Sequence, residues 1–510
     1  MLFMRSLNLG SNIVSYKHFR KSFHNSTSSR FFSKFNQSFK STLFSASAVV
    51  GITAYIIHKK KISCDADETE SLDLIDLGKK DNSNFVQQVN KYEEAINKSR
   101  DILLRVKDEV GAPGIVVGVS VDGKTVWTEG FGYADVENRV LCTADTVMRI
   151  ASISKSITMA AVAKLIEQGK LDLDKPIQEY VPSFPPKTFD GKPVIITCRR
   201  LLSHTSGIRH YEKNIGQNDN KNSKTNNEKN KREEKGEFDN KEYYIKERHD
   251  VKSSLNLFKD DPLIAKPGSK FHYSTHGYTL VSAIIESIAK EDFPSHMNKL
   301  FRTLGMKNTY FDENDNIIYN RSRNYKKNKH GHLINAPYVD NSYKWAGGGL
   351  LSSVTDLLQF ANAMLYSYQF QNYDSYKKSL DKNYLSNVDE HSEENKKLCP
   401  GFLTSRIMET MWMPVINCKD HAKYALGWVV FPEKQECGFC EKVKFCVYHT
   451  GGAIGASSIL LILPKSSSTN KDSALETDNP PKGIVVTILT NLMPINLTTA
   501  ALKIAELFDR

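Results

Sequence analysis

The sequence predicts an α/β or α+β sandwich, in which strands from both ends of the chain form an antiparallel sheet flanked by helices. Three observations carry this. "GIVVGVSVDGKTVWTEGFGYADVE", Gly114 to Glu137, alternates apolar and polar residues and turns at Asp122-Gly123, a hairpin signal. "SSILLIL" and "IVVTILTNL", Ser457–Leu463 and Ile484–Leu492, are strand-like runs near the other end. The stretches between them place apolar residues at helical spacing. Outer strands with helices between them bury their apolar sides as stacked layers.

In chain order, residues 1–42 are basic, Ser- and Phe-rich and free of Asp and Glu, the composition of a mitochondrial transit peptide or of a disordered basic tail. Residues 43–58, around "LFSASAVVGITAYII", are apolar but short of the roughly 20 residues a membrane span prefers. They read as a marginal membrane segment or a sorting signal. Together the two segments point to the mitochondrial inner membrane or intermembrane space, with the matrix as the alternative destination. An acidic linker, 59–84, leads into the body, 85–510.

The body opens on "FVQQVNKYEEAINKSRDILLRVKDEV", a helix by its periodicity. The hairpin follows, then "RIASISKSITMAAVAKLIEQGK", a helix ended by Gly169. "KPGSKFHYSTHGYTLVSAIIE" places Tyr273 in a loop before an apolar helix. "ALGWVVF" and "KFCVYHT" read as strands, and "TTAALKIAELF" as a closing helix. Polar insertions near 214–251, 369–398 and 464–483 lack the aliphatic residues that offset ordering entropy, so disorder is expected there.

Charge excludes one function class. Of 69 Lys and Arg residues, ten fall in residues 1–64 with no acid beside them, which leaves 59 cations against 58 anions in the rest. A near-neutral body does not present a nucleic-acid surface. The eight cysteines are too dispersed for a disulfide scaffold. Cys437 and Cys440 form a C-x-x-C between two strands, which reads as a hairpin loop or a local disulfide. A redox motif would open a helix instead.

Chemistry gathers at Ser152 and Lys155. Three residues apart on a helix, they share a face. A serine hydroxyl is a weak nucleophile until a base takes its proton. A lysine serves if burial lowers its pKa by roughly 3 units from about 10.4. The bland reading is a cap serine with a solvated lysine, but two further stretches weigh against it. Tyr273 stands where its oxygen can share the proton transfer. His449-Thr450-Gly451-Gly452 lie on a strand whose backbone N–H groups can bind an oxyanion. His204, in "LSHTSG", reads as pinning a turn, and Gly347–Gly349 as backbone packing.

Ser152-Ile153-Ser154-Lys155, then Tyr273-Ser274-Thr275, then His449-Thr450-Gly451 resemble the ordered S-x-x-K, Y-x-N and K/H-T-G motifs of serine β-lactamases and penicillin-binding proteins, closest to the class C-like branch. "LLSHTSGIRHY", "GGGLLSSVTDLLQFANAML" and "YALGW" resemble it too. With the targeting segment and the polar insertion, the chain resembles the mitochondrial serine β-lactamase-like family. The resemblance implies a β-lactamase/transpeptidase-like sandwich with an all-helical subdomain. It also implies serine peptidase-type activity in the intermembrane space, filament assembly and a role in mitochondrial lipid metabolism. Ser152 would form the acyl intermediate, and Lys155 and Tyr273 would be the general base pair. The N–H groups of Ser152 and Gly452 would form the oxyanion hole, with His449, Thr450, Gly451 and Thr275 bordering the substrate. No cofactor or metal is expected. Partners would be a peptide or ester substrate, further copies of the chain and the inner membrane, but not nucleic acid.

Two positions depart from the pattern. Thr275 replaces the usual Asn and loses an amide that would grip a substrate carbonyl. His449 replaces the usual Lys, and an imidazole near its reference pKa of about 6.5 is mostly neutral at pH 7 to 8. Both changes favour peptides or esters without an obligatory carboxylate over β-lactams. The alternative function is a filament or scaffold protein with little catalysis, and thiol redox through Cys437 and Cys440 is more distant.

Overall fold

The structure is a computed structural model and describes residues 72–211, 241–370, 401–419, 421–433, 444–465 and 481–509. Two compact units divide the chain, Met1–Gln87 and Gln88–Arg510, and the sheet and the candidate site both lie in the second. The expected transit peptide, the apolar segment, Cys437, Cys440 and most of each polar insertion lie outside the described residues.

Nine strands make one antiparallel sheet. They are β1 (Gly114–Val121), β2 (Lys124–Asp135), β3 (Val140–Leu141), β4 (Ile416–Lys419), β5 (Ala422–Tyr424), β6 (Val429–Phe431), β7 (Cys446–Ala453), β8 (Ala456–Pro464) and β9 (Gly483–Thr490). Their order is β4-β5-β6-β7-β8-β9-β1-β2-β3. The two ends of the chain therefore meet mid-sheet, where β1 pairs with β9 from Ile115 opposite Thr490 to Val121 opposite Ile484. Asp122 and Gly123 turn β1 into β2 with φ of 50° and 78°, the left-handed pair that a two-residue hairpin uses.

Side chains of a strand alternate between faces, and here both faces are covered. Ile115, Val117 and Val119 of β1, Leu461 of β8 and Val486 of β9 pack with helices α1 (Leu72–Val110) and α5 (Thr498–Phe508) through Leu103, Ile504 and Phe508. Val116, Leu460 and Val485 face the other way, in a core shared with α2 (Ser154–Glu167), α3 (Thr275–Ala289) and α4 (Val354–Gln369). Burial on both sides explains why these strands read as nearly unbroken apolar runs. The helical part also carries short strand pairs, such as Lys187–Phe189 with Lys192–Val194.

Two boundaries and one burial pattern differ from expectation. Helix α1 begins at Leu72, inside the stretch expected as a linker, where leucines are interspersed among the acids. Helix α2 buries residues on every side from Ser154 to Ala163, so it is a core helix rather than one with a single apolar face. The insertion drawn from 214 to 251 ends early: from Lys241 the chain is placed as a 3₁₀ turn, and Glu242 pairs with Arg209 at 3.0 Å. Composition missed this because the segment is mostly polar, and a few contacts hold it: the Arg209–Glu242 pair and the packing of Tyr244, Ile245 and Val251.

Candidate active site

Ser152 does not sit in the first turn of α2. It occupies a separate 3₁₀ turn, Ala151–Ile153, immediately before the helix. Ala151 takes φ 48°, a left-handed conformation that costs a non-glycine residue energy and is held by its surroundings. Two bonds hold it: Ser154 Oγ donates to Ala151 O at 2.6 Å, and Ser458 Oγ donates to Ile150 O at 2.8 Å. The turn leaves Ser152 partly exposed above a buried helix.

Lys155 is completely buried one turn further on. Its Nζ donates to Ser152 Oγ at 3.1 Å and to Gly347 O, and lies 3.4 Å from Thr275 Oγ1. It stands 4.7 Å from the Tyr273 ring centre and 5.4 Å from that of Tyr278. The Tyr273 hydroxyl donates to Ser152 Oγ at 2.7 Å. One serine oxygen thus receives both an amine and a phenol. Gly347, read from the sequence as packing, also supplies a carbonyl. A Cβ there would meet Thr275 Cγ2 at 2.6 Å.

Strand β7 forms the opposite wall. Alternation exposes Thr450 and Gly452 and buries His449 and Gly451. At Gly451 a Cβ would stand 2.2 Å from Ser458 Oγ and 2.4 Å from Ile150 O, so glycine is what lets the strand pass against the Ser152 turn. Between the walls lies a cleft of about 920 Å³, lined by Ser152, Tyr273, Thr275, His449, Thr450, Gly451 and Gly452. Every predicted site residue except Lys155 faces it, and Lys155 lies beneath Ser152.

His449 is held neutral by its setting rather than by an ordinary imidazole pKa. Burial, then the Lys155 charge, pushes its pKa down to about 3. Its Nε2 lies 2.9 Å from the Tyr424 hydroxyl, and its Nδ1 lies 2.7 Å from Thr450 O. Tyr424 also reaches His204 Nε2 at 3.2 Å. His204 has φ 58°, accepts from Ser274 N at 3.1 Å on Nδ1, and lies tilted against the Tyr273 ring with centres 4.3 Å apart. The sequence marked it as pinning a turn; its ring and carbonyl accept from Ser274 N and His272 N of the loop that carries Tyr273.

Sequence reasoning missed Tyr424 and Lys344. Tyr424 was visible only as part of "YALGW". Lys344 lines the same cleft, completely buried, and burial followed by the Arg149 charge pushes its pKa down to about 7. Nothing local marks it, because its environment comes from Arg149 and Asp312, which pair at 2.6 Å. Among the described residues, no group of three or more His, Cys, Asp and Glu is placed to hold a metal ion.

The β-lactamase family model matches residues 89–507. The chain is 48% identical to the human serine beta-lactamase-like protein LACTB, mitochondrial, over 82% of this chain and 80% of that protein. It is 25% identical to protein flp of Staphylococcus aureus, strain MRSA252, over 70% of this chain and 58% of that one. In fold it matches an octameric penicillin-binding protein homologue from Pyrococcus abyssi, with a TM-score of 0.57 and 24% identity over 81% of this chain and 78% of the other. It also matches a class C β-lactamase, with a TM-score of 0.55 and 16% identity over 82% and 97%. An antiparallel sheet between helical layers and a family match over nearly the whole described body place this chain in the β-lactamase family of serine hydrolases, among its mitochondrial serine β-lactamase-like members.

Proposed function

We propose that this protein is a serine hydrolase of peptidase or esterase type that works through an acyl-Ser152 intermediate. The observation that carries this is the convergence of Lys155 Nζ, at 3.1 Å, and the Tyr273 hydroxyl, at 2.7 Å, on Ser152 Oγ. Lys155, whose Nζ lies 3.1 Å from Oγ, is the base that takes the serine proton as Oγ bonds to the substrate carbonyl carbon. The backbone N–H groups of Ser152 and Gly452 receive the oxyanion. Collapse breaks the bond to the leaving group, which takes the proton through Tyr273. Water then attacks the acyl ester and gives a proton to the same pair; collapse breaks the acyl–Oγ bond, the proton returns to Ser152 Oγ, and the free acid leaves.

Thr450 and Gly451 border the acyl donor, and the neutral His449 favours substrates without an obligatory carboxylate, so β-lactam turnover should be poor. The kinship with mitochondrial proteins supports a mitochondrial site of action, in the intermembrane space or at the inner membrane. Assembly into a homo-oligomer or filament, and a role in lipid metabolism, belong to the same reading. That an octameric protein shares the fold supports the first of these. The test is intact mass after a fluorophosphonate probe. Wild type should gain one adduct, Lys155→Ala should label slowly, and labelling that persists in Ser152→Ala would refute the assignment.

A further inference from the structure

The hydrogen-bonded chain through Tyr424 has a fixed polarity at both ends. The Ser274 N–H can only donate, so His204 Nδ1, 3.1 Å away, accepts and carries no proton. The single proton of that neutral ring therefore sits on Nε2 and points at the Tyr424 oxygen, 3.2 Å away. At the other end the Thr450 carbonyl can only accept, so His449 Nδ1, 2.7 Å away, carries a proton. The Tyr424 hydroxyl has one proton to give. Neighbouring Tyr278 donates its own to Leu202 O at 3.0 Å, and Tyr424 faces a bare His449 Nε2 at 2.9 Å. With Tyr424 donating to His449 Nε2, the directions run Ser274 to His204 to Tyr424 to His449 to Thr450. The Tyr278 hydroxyl is a second hydrogen-bonding neighbour of Tyr424, and the His204 and His449 tautomers are set by Ser274 N and Thr450 O.

The two ends of this chain are the two walls of the cleft. His204 holds the Tyr273 loop three times over: it accepts from Ser274 N on its ring, accepts from His272 N on its carbonyl at 2.8 Å, and packs tilted against the Tyr273 ring with centres 4.3 Å apart. His449 holds the Thr450 carbonyl, next to the backbone that faces Ser152. Tyr424 comes from neither wall. It ends β5, is fully buried, and spans the gap between the two histidines.

We propose that Tyr424 is a positioning residue of the active site, whose hydroxyl sets the spacing between the Tyr273 loop and the Thr450–Gly452 strand and locks His204 and His449 as opposite neutral tautomers. This rests on the acyl-serine reading only for its kinetic arm. The structure assigns His204 as the Nε2–H form and His449 as the Nδ1–H form, and a phenylalanine at 424 would fill the same space while leaving both Nε2 atoms unpartnered.

The test is made on the full chain with ¹⁵N-labelled histidine, in wild type and Tyr424→Phe. In wild type, among the signals of the fourteen histidines, His204 should appear as the Nε2–H form and His449 as the Nδ1–H form, each assigned by loss in His204→Asn or His449→Gln. In Tyr424→Phe the His449 signal should turn into a mixture of tautomers. Reporter-ester hydrolysis by the same variant should lose about tenfold or more in kcat, with KM within about threefold, the signature of misplacement rather than lost binding. A wild-type His449 that is protonated on Nε2 overturns the proposal, and this measurement needs no folded variant. So does a Tyr424→Phe enzyme with kcat within about twofold of wild type. If wild type takes no acyl label at Ser152, the hydrolase reading fails, and the spectra still decide the tautomer lock.

Discussion

At His449, charge is excluded by burial, and this shapes what lysine would do in its place. His449→Lys removes the ring that Tyr424 and the Thr450 carbonyl hold, so total activity should fall. The new cation should favour a carboxylate, since hydrogen bonds to charged groups contribute about 1.5–3 kcal/mol. We therefore expect kcat/KM for a carboxylate-bearing reporter to fall less than that for its amidated twin. Equal losses for both would mean that position 449 does not face the acyl donor. Gly451→Ala belongs to the same scale. Its Cβ would press on Ser458 Oγ and Ile150 O, at 2.2 and 2.4 Å, and backbone cannot yield as a flexible side chain does. Overpacking of this kind costs about 1–3 kcal/mol, read as a lower thermal midpoint together with slower labelling of Ser152. Ser152, Lys155, Tyr273 and the His449–Gly452 run were legible because each sits in a short local pattern. Tyr424 and Lys344 were not, since their partners are far away in sequence: Tyr424 lies 220 residues from His204 and 25 from His449.

Among the elements, the segment after the first insertion is tied by charge as well as by the packing of Tyr244, Ile245 and Val251. Arg209, buried, pairs with Glu242 at 3.0 Å and with Asp261 at 2.6 Å, and His276 Nε2 reaches Glu242 at 3.1 Å. The Tyr343 hydroxyl donates to the Glu242 carbonyl at 2.9 Å, beside the Lys344 wall of the cleft. Glu242→Gln should cost about 1–3 kcal/mol, the range for a buried polar group that loses a charged partner. Limited proteolysis should then cut faster near Lys241. An unchanged cutting rate would mean that the ion pair does not fasten this segment. Such a tie is invisible to composition, which sees only a polar stretch. By contrast β1, β8 and β9 were plain in the sequence, because burial on both faces makes them apolar at nearly every position. Strands of two or three residues such as β3 and β5 are too short to show a period. The 3₁₀ turn at Ser152 escaped because it places Ser152 near Lys155 much as a helical turn would.

For the molecule as a whole, two groups set a direction for stability against pH. His449 drops from 6.5 to about 3 on folding, and Lys344 from 10.5 to about 7. In each case the unfolded chain binds the proton that the folded one refuses, so stability rises with pH across the interval between the two values. His449 therefore contributes stability that is complete above pH 6.5 and lost as pH falls toward 3, and Lys344 does the same between 10.5 and 7. Thermal midpoints followed across pH should climb less steeply in Lys344→Met above neutrality and in His449→Gln below it. Curves parallel to wild type in both variants would show that neither group is perturbed by folding. The pairing of β1 with β9, Ile115 opposite Thr490, has a different consequence, one of timing. A strand that emerges early must wait for one made almost last, and contacts so distant in sequence make folding slow. Until β9 arrives, β1 offers an open apolar edge to any other chain nearby. A chain halted before Gly483 should therefore be captured by chaperones or aggregate, while one extended through Phe508 closes its own sheet.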